Sequence, residues 1–474
     1  MDNSTTTGAW AETQNRLTPA GGDGVRGALR HSLRVFFCFF AVYLATWGGH
    51  YTSGDGAQKI AWAKVLLFGA SAGVSPGPNG VYSKYGIGHS LIAMLPVAAS
   101  SFIQKHTGIR CEAALYTLIF VANGALMLAL IAYYLFQFYL PSRVWWTVSL
   151  IGLATTWWPY TKMDFSEPLV ATTVFAGFVV MRFGCPALGM LLAACTITIR
   201  TDSVMLILLL AWWWLFEHRT LGAALKLGLA MLPSLMIVAG ANYVRYHSVF
   251  DRGYAGERFT TPLLFGLDGI LFSSGKSIFL FSPPLILGFL GWKRFRDRLT
   301  TRTDALLFLA IFATELLVYS KWWDWSADDA WGVRFMIPAV LLMCIPAVEV
   351  FERRRLVAGV AAAGVCVQLL AVLAGGLDYL MLVRAQQPQR QAVFVSGRNH
   401  VDFEDIRFDP RYSQIAGNWI LLRHLLHIPP RLGPPELVEK NGTPLYDTLP
   451  PRAWSEAAHW DFVWARLGAK TQRE

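Results

Sequence analysis

Charge is scarce in this chain. Asp, Glu, Lys and Arg make up only 15% of its 474 residues, whereas a soluble globular domain carries about a quarter. The deficit falls in long apolar blocks, which excludes a soluble domain and points to a chain that crosses a membrane repeatedly. Cysteine is sparse as well. The six, Cys38, Cys111, Cys185, Cys195, Cys344 and Cys366, all sit in or beside apolar blocks. None forms a CxxC pair or a Cys/His group at metal spacing, so they read as small apolar packing residues and no disulfide framework is expected. A complete nucleotide-binding loop is missing too. Gly275-Lys276-Ser277 matches the end of a phosphate-binding loop, but the earlier glycine is absent and no strand precedes it, which excludes that type of ATPase. No Ala-x-Ala site follows the first apolar block, so the block reads as a retained helix rather than a signal peptide. No internal repeat is evident.

What is present is apolar, aromatic and basic. The net charge of +10 lies largely between apolar blocks or at their ends, where it sets orientation and meets anionic headgroups, so no nucleic-acid partner is expected. The 19 Trp and 16 Tyr suit the headgroup zone. Residues 1–32 are polar without an apolar period and are expected to form a disordered cytoplasmic tail. Arg26, Arg30 and Arg34 accompany the start of the first apolar block, 33–49, which places the following loop on the outer face. In 57–72, Lys59 and Lys64 interrupt Ile60, Trp62, Val65, Leu66 and Leu67, the pattern of a helix lying at the interface. The next membrane helix is expected at 86–104, with Lys105, His106 and Arg110 at a cytoplasmic return.

Further apolar blocks run at 113–139, 144–159, 166–183, 186–199, 203–217, 221–242, 262–274, 277–292, 304–320, 333–350 and 356–383. Several are shorter than the about 20 residues that a crossing needs, so some are half-helices or join a neighbour. The basic clusters Lys293-Arg294-Arg296-Arg298 and Arg353-Arg354-Arg355 mark cytoplasmic turns. The fold expected is an all-α polytopic membrane protein with about 10 to 13 transmembrane helices and an interfacial helix in the first outer loop. Its transmembrane domain is expected over 33–384, and 385–474 as a polar tail or a small extracytoplasmic cap.

Ionisable groups within or beside crossings are costly and mark candidate sites. The first is Asp55, in His50-Tyr51-Thr52-Ser53-Gly54-Asp55-Gly56, directly after the first block. Lys84-Tyr85 opens the following helix; it is either a phosphate-binding cation with a phenol or an interfacial anchor. Asp164 and Glu167, three residues apart, either share one helix face and bind a sugar hydroxyl, a metal or a cation, or form a capping box. Arg200-Thr201-Asp202, between two apolar blocks, is either a functional cluster or a paired surface turn, and the turn is the preferred reading. Lys276 is an interfacial phosphate ligand candidate. Trp322, Trp323 and Arg334 belong to a Trp-rich stretch, which either stacks on a sugar or isoprenoid and forks onto a phosphate, or forms an aromatic belt with a cationic anchor.

The order of these motifs resembles a family. A first span is followed by Ser-Gly-Asp, a Tyr-Gly-x-Gly helix start, Ser-Glu-Pro, Ser-Gly-Lys before Pro-Pro, Trp-Trp and Gly-x-Arg-Phe, across residues 33–350. This is similar to the membrane glycosyltransferases of the GT-C fold, which include protein O-mannosyltransferases and the lipid A aminoarabinose transferase. The resemblance implies a GT-C-like bundle in a bacterial inner membrane. It also implies a sugar taken from a polyprenyl-phosphate carrier and moved to a lipid or polysaccharide acceptor on the extracytoplasmic face, as in cell-envelope biosynthesis. It places the catalytic base at Asp55, a second acidic site at Asp164 or Glu167, and carrier-phosphate ligands at Lys84, Lys276 or Arg334. The chain departs from the pattern at Gly56, where many relatives carry a second acidic residue. A divalent cation is possible, but that departure weakens a metal site. If 113–139 and 144–159 both cross, Asp164 falls on the cytoplasmic side; it is expected to face outward with Asp55.

Chemically, transfer from a lipid phosphate needs a base for the acceptor proton and cations for the leaving phosphate. The donor is already activated, so no nucleotide fold is required. A transporter or flippase of lipid-linked saccharides is the alternative. Matching broken-helix halves would favour it, and none is found. A membrane O-acyltransferase would need a buried histidine base, for which His89 is the candidate.

Overall fold

A computed structural model describes residues 23–69, 76–77, 80–81, 83–251, 253–254, 257–327, 330–376, 378–379, 407–410, 413–428 and 458–465. Its elements are helices apart from one antiparallel pair of two-residue strands, Pro76–Gly77 and Gly80–Val81. The main helices are α1 (Asp23–Ala45), α2 (Gly54–Phe68), α3 (Ile87–Thr107), α4 (Glu112–Phe136), α5 (Pro141–Ala154), α6 (Glu167–Phe183), α7 (Pro186–Ile199) and α8 (Val204–Glu217). There follow α9 (Leu221–Tyr246), α10 (Leu263–Phe272), α11 (Pro284–Asp297), α12 (Arg302–Lys321), α13 (Ile337–Cys344), α14 (Arg354–Ala374) and α15 (Gln414–Leu425).

Six of these are long and apolar enough to cross a membrane: α1, α3, α4, α9, α12 and α14. Short 3-10 turns flank α13, and the whole stretch from Arg334 to Val350 is buried. The face of α9 bearing Leu225, Leu229, Met236 and Val244 is exposed, which is costly in water and natural in lipid. The core is aromatic, with Tyr43, Tyr116, Tyr134, Trp157 and Phe178 among its buried members.

Two boundaries differ from the apolar pattern. α1 begins at Asp23, so residues 23–32, expected in the disordered tail, are helical. α2 begins at Gly54 rather than near 57, which puts Asp55 in its first turn. Ser53 caps that helix by accepting from the Gly56 amide at 2.9 Å.

The larger correction concerns α3, expected to cross to a cytoplasmic return at Lys105, His106 and Arg110. α1 and α4 are antiparallel: Trp47 Nε1 donates to Thr117 Oγ1 at 2.9 Å near one end, and the His31 and Phe136 rings meet 5.2 Å apart at the other. α4 therefore starts at the end of the bundle where α1 stops. There Glu112 accepts from the Tyr51 hydroxyl and pairs with Lys64, each at 2.7 Å. α3 also starts at that end, with His89 on the Tyr116 hydroxyl at 2.7 Å and Ser100 on Cys111 at 3.8 Å. It thus begins and ends on the same side and lies across the bundle end beside α2. Its length and apolarity suited a crossing, but hydropathy does not distinguish an apolar helix at an interface from one that spans.

This resolves the position of Asp164. α4 crosses away from the Asp55 end and α5, continued by the one-turn helix Trp157–Tyr160, crosses back. Tyr139 and Arg143, at the far turn, bond Glu349 and Glu352. The C-terminal region is docked where it is described: Asn418 of α15 donates to the Gly375 carbonyl at 2.9 Å, and Leu421 is fully buried. Residues 385–406 and 429–457 lie outside the described residues.

Candidate active site

Asp55 stands in the first turn of α2, with its side chain 27% exposed. Its Oδ1 accepts from the Tyr85 hydroxyl, and its Oδ2 pairs with Arg334 Nη1 at 3.0 Å. Burial alone would raise the Asp55 pKa. Arg334, then Lys59 and the Tyr85 hydroxyl, outweigh it and hold the carboxyl well below the usual carboxylate range.

Lys59 lies one turn further along α2, on the same face. It is buried, and its ammonium sits 4.9 Å from the centre of the Tyr85 ring. Among the described residues no hydrogen bond or ion pair reaches that ammonium. Burial pulls its pKa down, while Asp55, Glu167 and Asp164 pull it up.

Asp164 is fully buried and arrives from the loop before α6. Its Oδ1 accepts from the Thr52 and Ser53 hydroxyls, both at 2.7 Å, so the loop before α2 grips it. Its Oδ2 has no hydrogen-bond partner among the described residues. That oxygen lies against Gly56, where an added Cβ would stand 1.9 Å from it. Burial raises the Asp164 pKa, against the two hydroxyl bonds. The capping-box alternative is not realised. Asp164 precedes the helix, α6 starts at Glu167, and its N-cap Ser166 makes no side-chain cap.

Glu167 takes Arg200 Nη1 at 2.5 Å and Arg334 Nε at 3.6 Å. Arg200 also grips both Asp202 oxygens, at 3.1 and 2.5 Å, and Asp202 accepts from the Tyr319 hydroxyl at 3.0 Å. The Arg334 guanidinium lies 4.4 Å from the Phe165 ring centre. Charges of alternating sign thus run Asp55, Arg334, Glu167, Arg200, Asp202. The Arg200 turn, read as a separate pair, is part of this cluster.

Lys84 is at the rim. It pairs with Glu257 at 2.9 Å and lies 5.5 Å from the Tyr85 ring and 5.2 Å from the Tyr254 ring. Trp323 Nε1 also donates to Glu257, at 3.3 Å, and the Trp322 ring packs edge-on to Phe259. Lys276 is placed differently. It is buried and donates to the carbonyls of Ala330 at 2.6 Å and Gly332 at 3.2 Å, bracing the turn that presents Arg334. His89 is buried between Ser166 and Tyr116 as a packing residue.

The structure brings together Asp55, Tyr85, Asp164, Glu167 and Arg334, with Lys84, Trp322 and Trp323 at the rim. Sequence reasoning missed Lys59, Thr52 and Ser53, and it preferred a paired surface turn for Arg200. The spacing of Lys59, four residues after Asp55 on one helix, was the available signal for the first. Among the described residues no group of three or more His, Cys, Asp or Glu side chains is arranged to hold a metal ion. Both Asp55 oxygens are engaged, and no step is assigned to a metal.

No protein-family model and no curated protein matches the chain. A solved structure does: ArnT from Cupriavidus metallidurans in the apo state, at TM-score 0.50 and 13% identity, covering 83% of this chain and 74% of that one. At that identity the likeness carries the fold. The chain is a polytopic, all-α membrane protein with a GT-C-like fold.

Proposed function

We propose that the chain is a glycosyltransferase that moves a sugar from a polyprenyl-phosphate carrier to an acceptor hydroxyl, with Asp55 as the base. The supporting observation is the composition of the cluster: a partly exposed carboxylate within reach of Arg334, with the buried Lys59 ammonium one helical turn away. A base for the incoming hydroxyl and cations for a departing phosphate are the two requirements of this chemistry. The fold shared with ArnT, an aminoarabinose transferase, supports the donor class.

In this reading the acceptor hydroxyl gives its proton to Asp55 as its oxygen bonds the anomeric carbon. The bond from that carbon to the carrier phosphate breaks, and the phosphate keeps the electron pair. Arg334, Lys59 and Lys84 offset its charge. While Arg334 holds Asp55, the carboxylate is a weak base. As the guanidinium turns to the phosphate, the main influence lowering the Asp55 pKa is withdrawn and the base strengthens where it is needed. Asp164 and Glu167 order the site from behind, and Glu167 shares Arg334 with Asp55. Trp322 and Trp323 offer aromatic surface to the sugar or the isoprenoid. The acceptor is a lipid or polysaccharide, the membrane is the bacterial inner membrane, and the site faces its extracytoplasmic side.

The test is transfer of labelled sugar from polyprenyl phosphate in membranes carrying wild type, Asp55→Asn or Asp164→Asn at matched protein levels. Loss of a catalytic base costs roughly 100- to 10,000-fold, and Asp55→Asn should lose at least the lower figure while still binding donor. Normal transfer by Asp55→Asn, or none by wild type from any donor, would reject this reading and bring forward a flippase of lipid-linked saccharides.

A further inference from the structure

The loop that carries Thr52 and Ser53 is held by a segment from the far end of the chain. Residues 458–465 lie across the ends of α1 and α14. The Asp461 amide donates to the Leu373 carbonyl and the Val463 amide to the Trp47 carbonyl, each at 2.9 Å. Gly49 permits this approach. Its φ is +68°, which disfavours other residues, and an added Cβ would stand 2.9 Å from Val463 Cγ2.

A three-residue charge cluster fastens the crossing. Asp461 is buried; its Oδ2 pairs with Lys162 Nζ at 2.8 Å and its Oδ1 faces His50 Nε2 at 2.7 Å. Lys162, also buried, donates to the carbonyls of Val372 and Asp461. His50 Nδ1 faces the Tyr51 carbonyl at 2.8 Å. A carbonyl and a carboxylate only accept. Both contacts are therefore hydrogen bonds only when both ring nitrogens carry hydrogen, that is, in the imidazolium. His50 is 30% exposed, so its proton exchanges with solvent, whereas Asp461 is 4% exposed. The next residue, Tyr51, bonds Glu112, which pairs with Lys64. After it come Thr52 and Ser53, which grip Asp164.

We propose that Asp461 is a positioning residue of the Asp55 site: residues 458–465 strap the loop 46–53 in place, and doubly protonated His50 is the clasp. Loss of one His50 proton leaves a single ring N–H, so one of the two bonds, to the Tyr51 carbonyl or to Asp461, is lost. The Lys162–Asp461 pair stays, so the strap remains docked while the loop loosens. Thr52 and Ser53 then hold Asp164 less firmly. The effect on transfer rests on the glycosyltransferase reading; the effect on loop order does not.

The test is amide hydrogen exchange over residues 46–56 in the full chain in lipid nanodiscs, corrected for the intrinsic pH dependence of exchange, beside a pH profile of sugar transfer. One charge-assisted hydrogen bond corresponds to roughly 10- to 100-fold in opening. In wild type, loop exchange should rise by that factor as the pH is raised. In His50→Gln it should be fast at every pH, and the matching alkaline limb of the transfer profile should vanish. In Asp461→Asn it should also be fast throughout, with Asp461→Glu partly restoring protection and α12 unchanged. Asp461→Asn leaves Lys162 buried with a partner weakened. If its α12 exchange also rises, His50→Gln, which keeps the ion pair, decides. Equal loop exchange in wild type and His50→Gln at all pH values overturns the strap. So does a transfer profile unchanged by His50→Gln. A responsive loop in a chain that transfers nothing would leave the strap standing and reject the glycosyltransferase reading instead.

Discussion

Asp55 and Arg334, 279 positions apart in the chain, form an ion pair at 3.0 Å, and the same guanidinium lies 3.6 Å from Glu167. Arg334 therefore has two carboxylate partners and can move its charge between them and an incoming anion without being left unpaired.

The pH dependence of transfer should report this pairing. Burial alone would make Asp55 harder to ionise; Arg334 is the leading influence against it, followed by Lys59. Removing either cation raises the Asp55 pKa, so less of the base is ionised at a given acidic pH. The acid limb of the rate profile should move to higher pH in Lys59→Met, and further in Arg334→Gln. Transfer measured from pH 4 to 8 checks this; an unmoved limb in both variants would mean that Asp55 is not the group titrating.

Gly56 is expected to tolerate no side chain. In Gly56→Ala the new Cβ would fall 1.9 Å from Asp164 Oδ2, and forced repacking of this kind costs about 1–3 kcal/mol. A lowered melting temperature with a large loss of transfer is expected, and Gly56→Ala with Asp164→Ala should regain much of the stability. A double-mutant comparison of thermal unfolding in detergent measures it.

The Lys162–Asp461 pair should be strongly non-additive. Both side chains are buried, and removing one partner of such a pair typically costs about 3–5 kcal/mol because the other charge is stranded. Lys162→Met and Asp461→Asn should each destabilise the chain by about that much, and the double variant by less than the sum. The Asp461 carboxyl would be raised by burial, but Lys162, then His50, hold it well below the usual range. Its contribution to stability is thus present above the usual carboxylate range and fades as the pH falls through its lowered value. Lys162→Met, which removes the leading cause, should move that acid loss of stability to higher pH.

At the rim, Lys84 and Glu257 are partly exposed, and such a pair adds only about 0–1 kcal/mol. Glu257→Gln should leave unfolding nearly unchanged yet free Lys84 for the carrier phosphate. A lower KM for donor is expected in Glu257→Gln and a higher one in Lys84→Met.

Most helices were legible as runs of apolar residues, because segments that meet lipid must be apolar. α6, α7 and α12 lie close to the blocks at 166–183, 186–199 and 304–320. α3 was misread because its run is as apolar as a crossing, and its place is set by Glu112 and His89 bonding groups at one end of the bundle. Within the site, Asp55 and Arg334 stood out as charges beside apolar segments. Lys59 was passed over because a lysine on a short amphipathic helix ordinarily faces water; here Tyr85 covers it. Asp461 gave no signal, since its partners Lys162 and His50 are hundreds of positions away and only the fold brings them together.

The glycine after Asp55 acquires a different meaning once Asp164 is seen pressed against it. Where neighbouring acidic residues form a pair, one short word of sequence encodes it. Here a loop between α5 and α6 delivers the second carboxylate, and the bare backbone at position 56 is the socket that admits it. The acidic pair exists only in the folded chain. A search for adjacent acidic letters would discard this sequence, whereas a search for a carboxylate seated on the glycine would retain it.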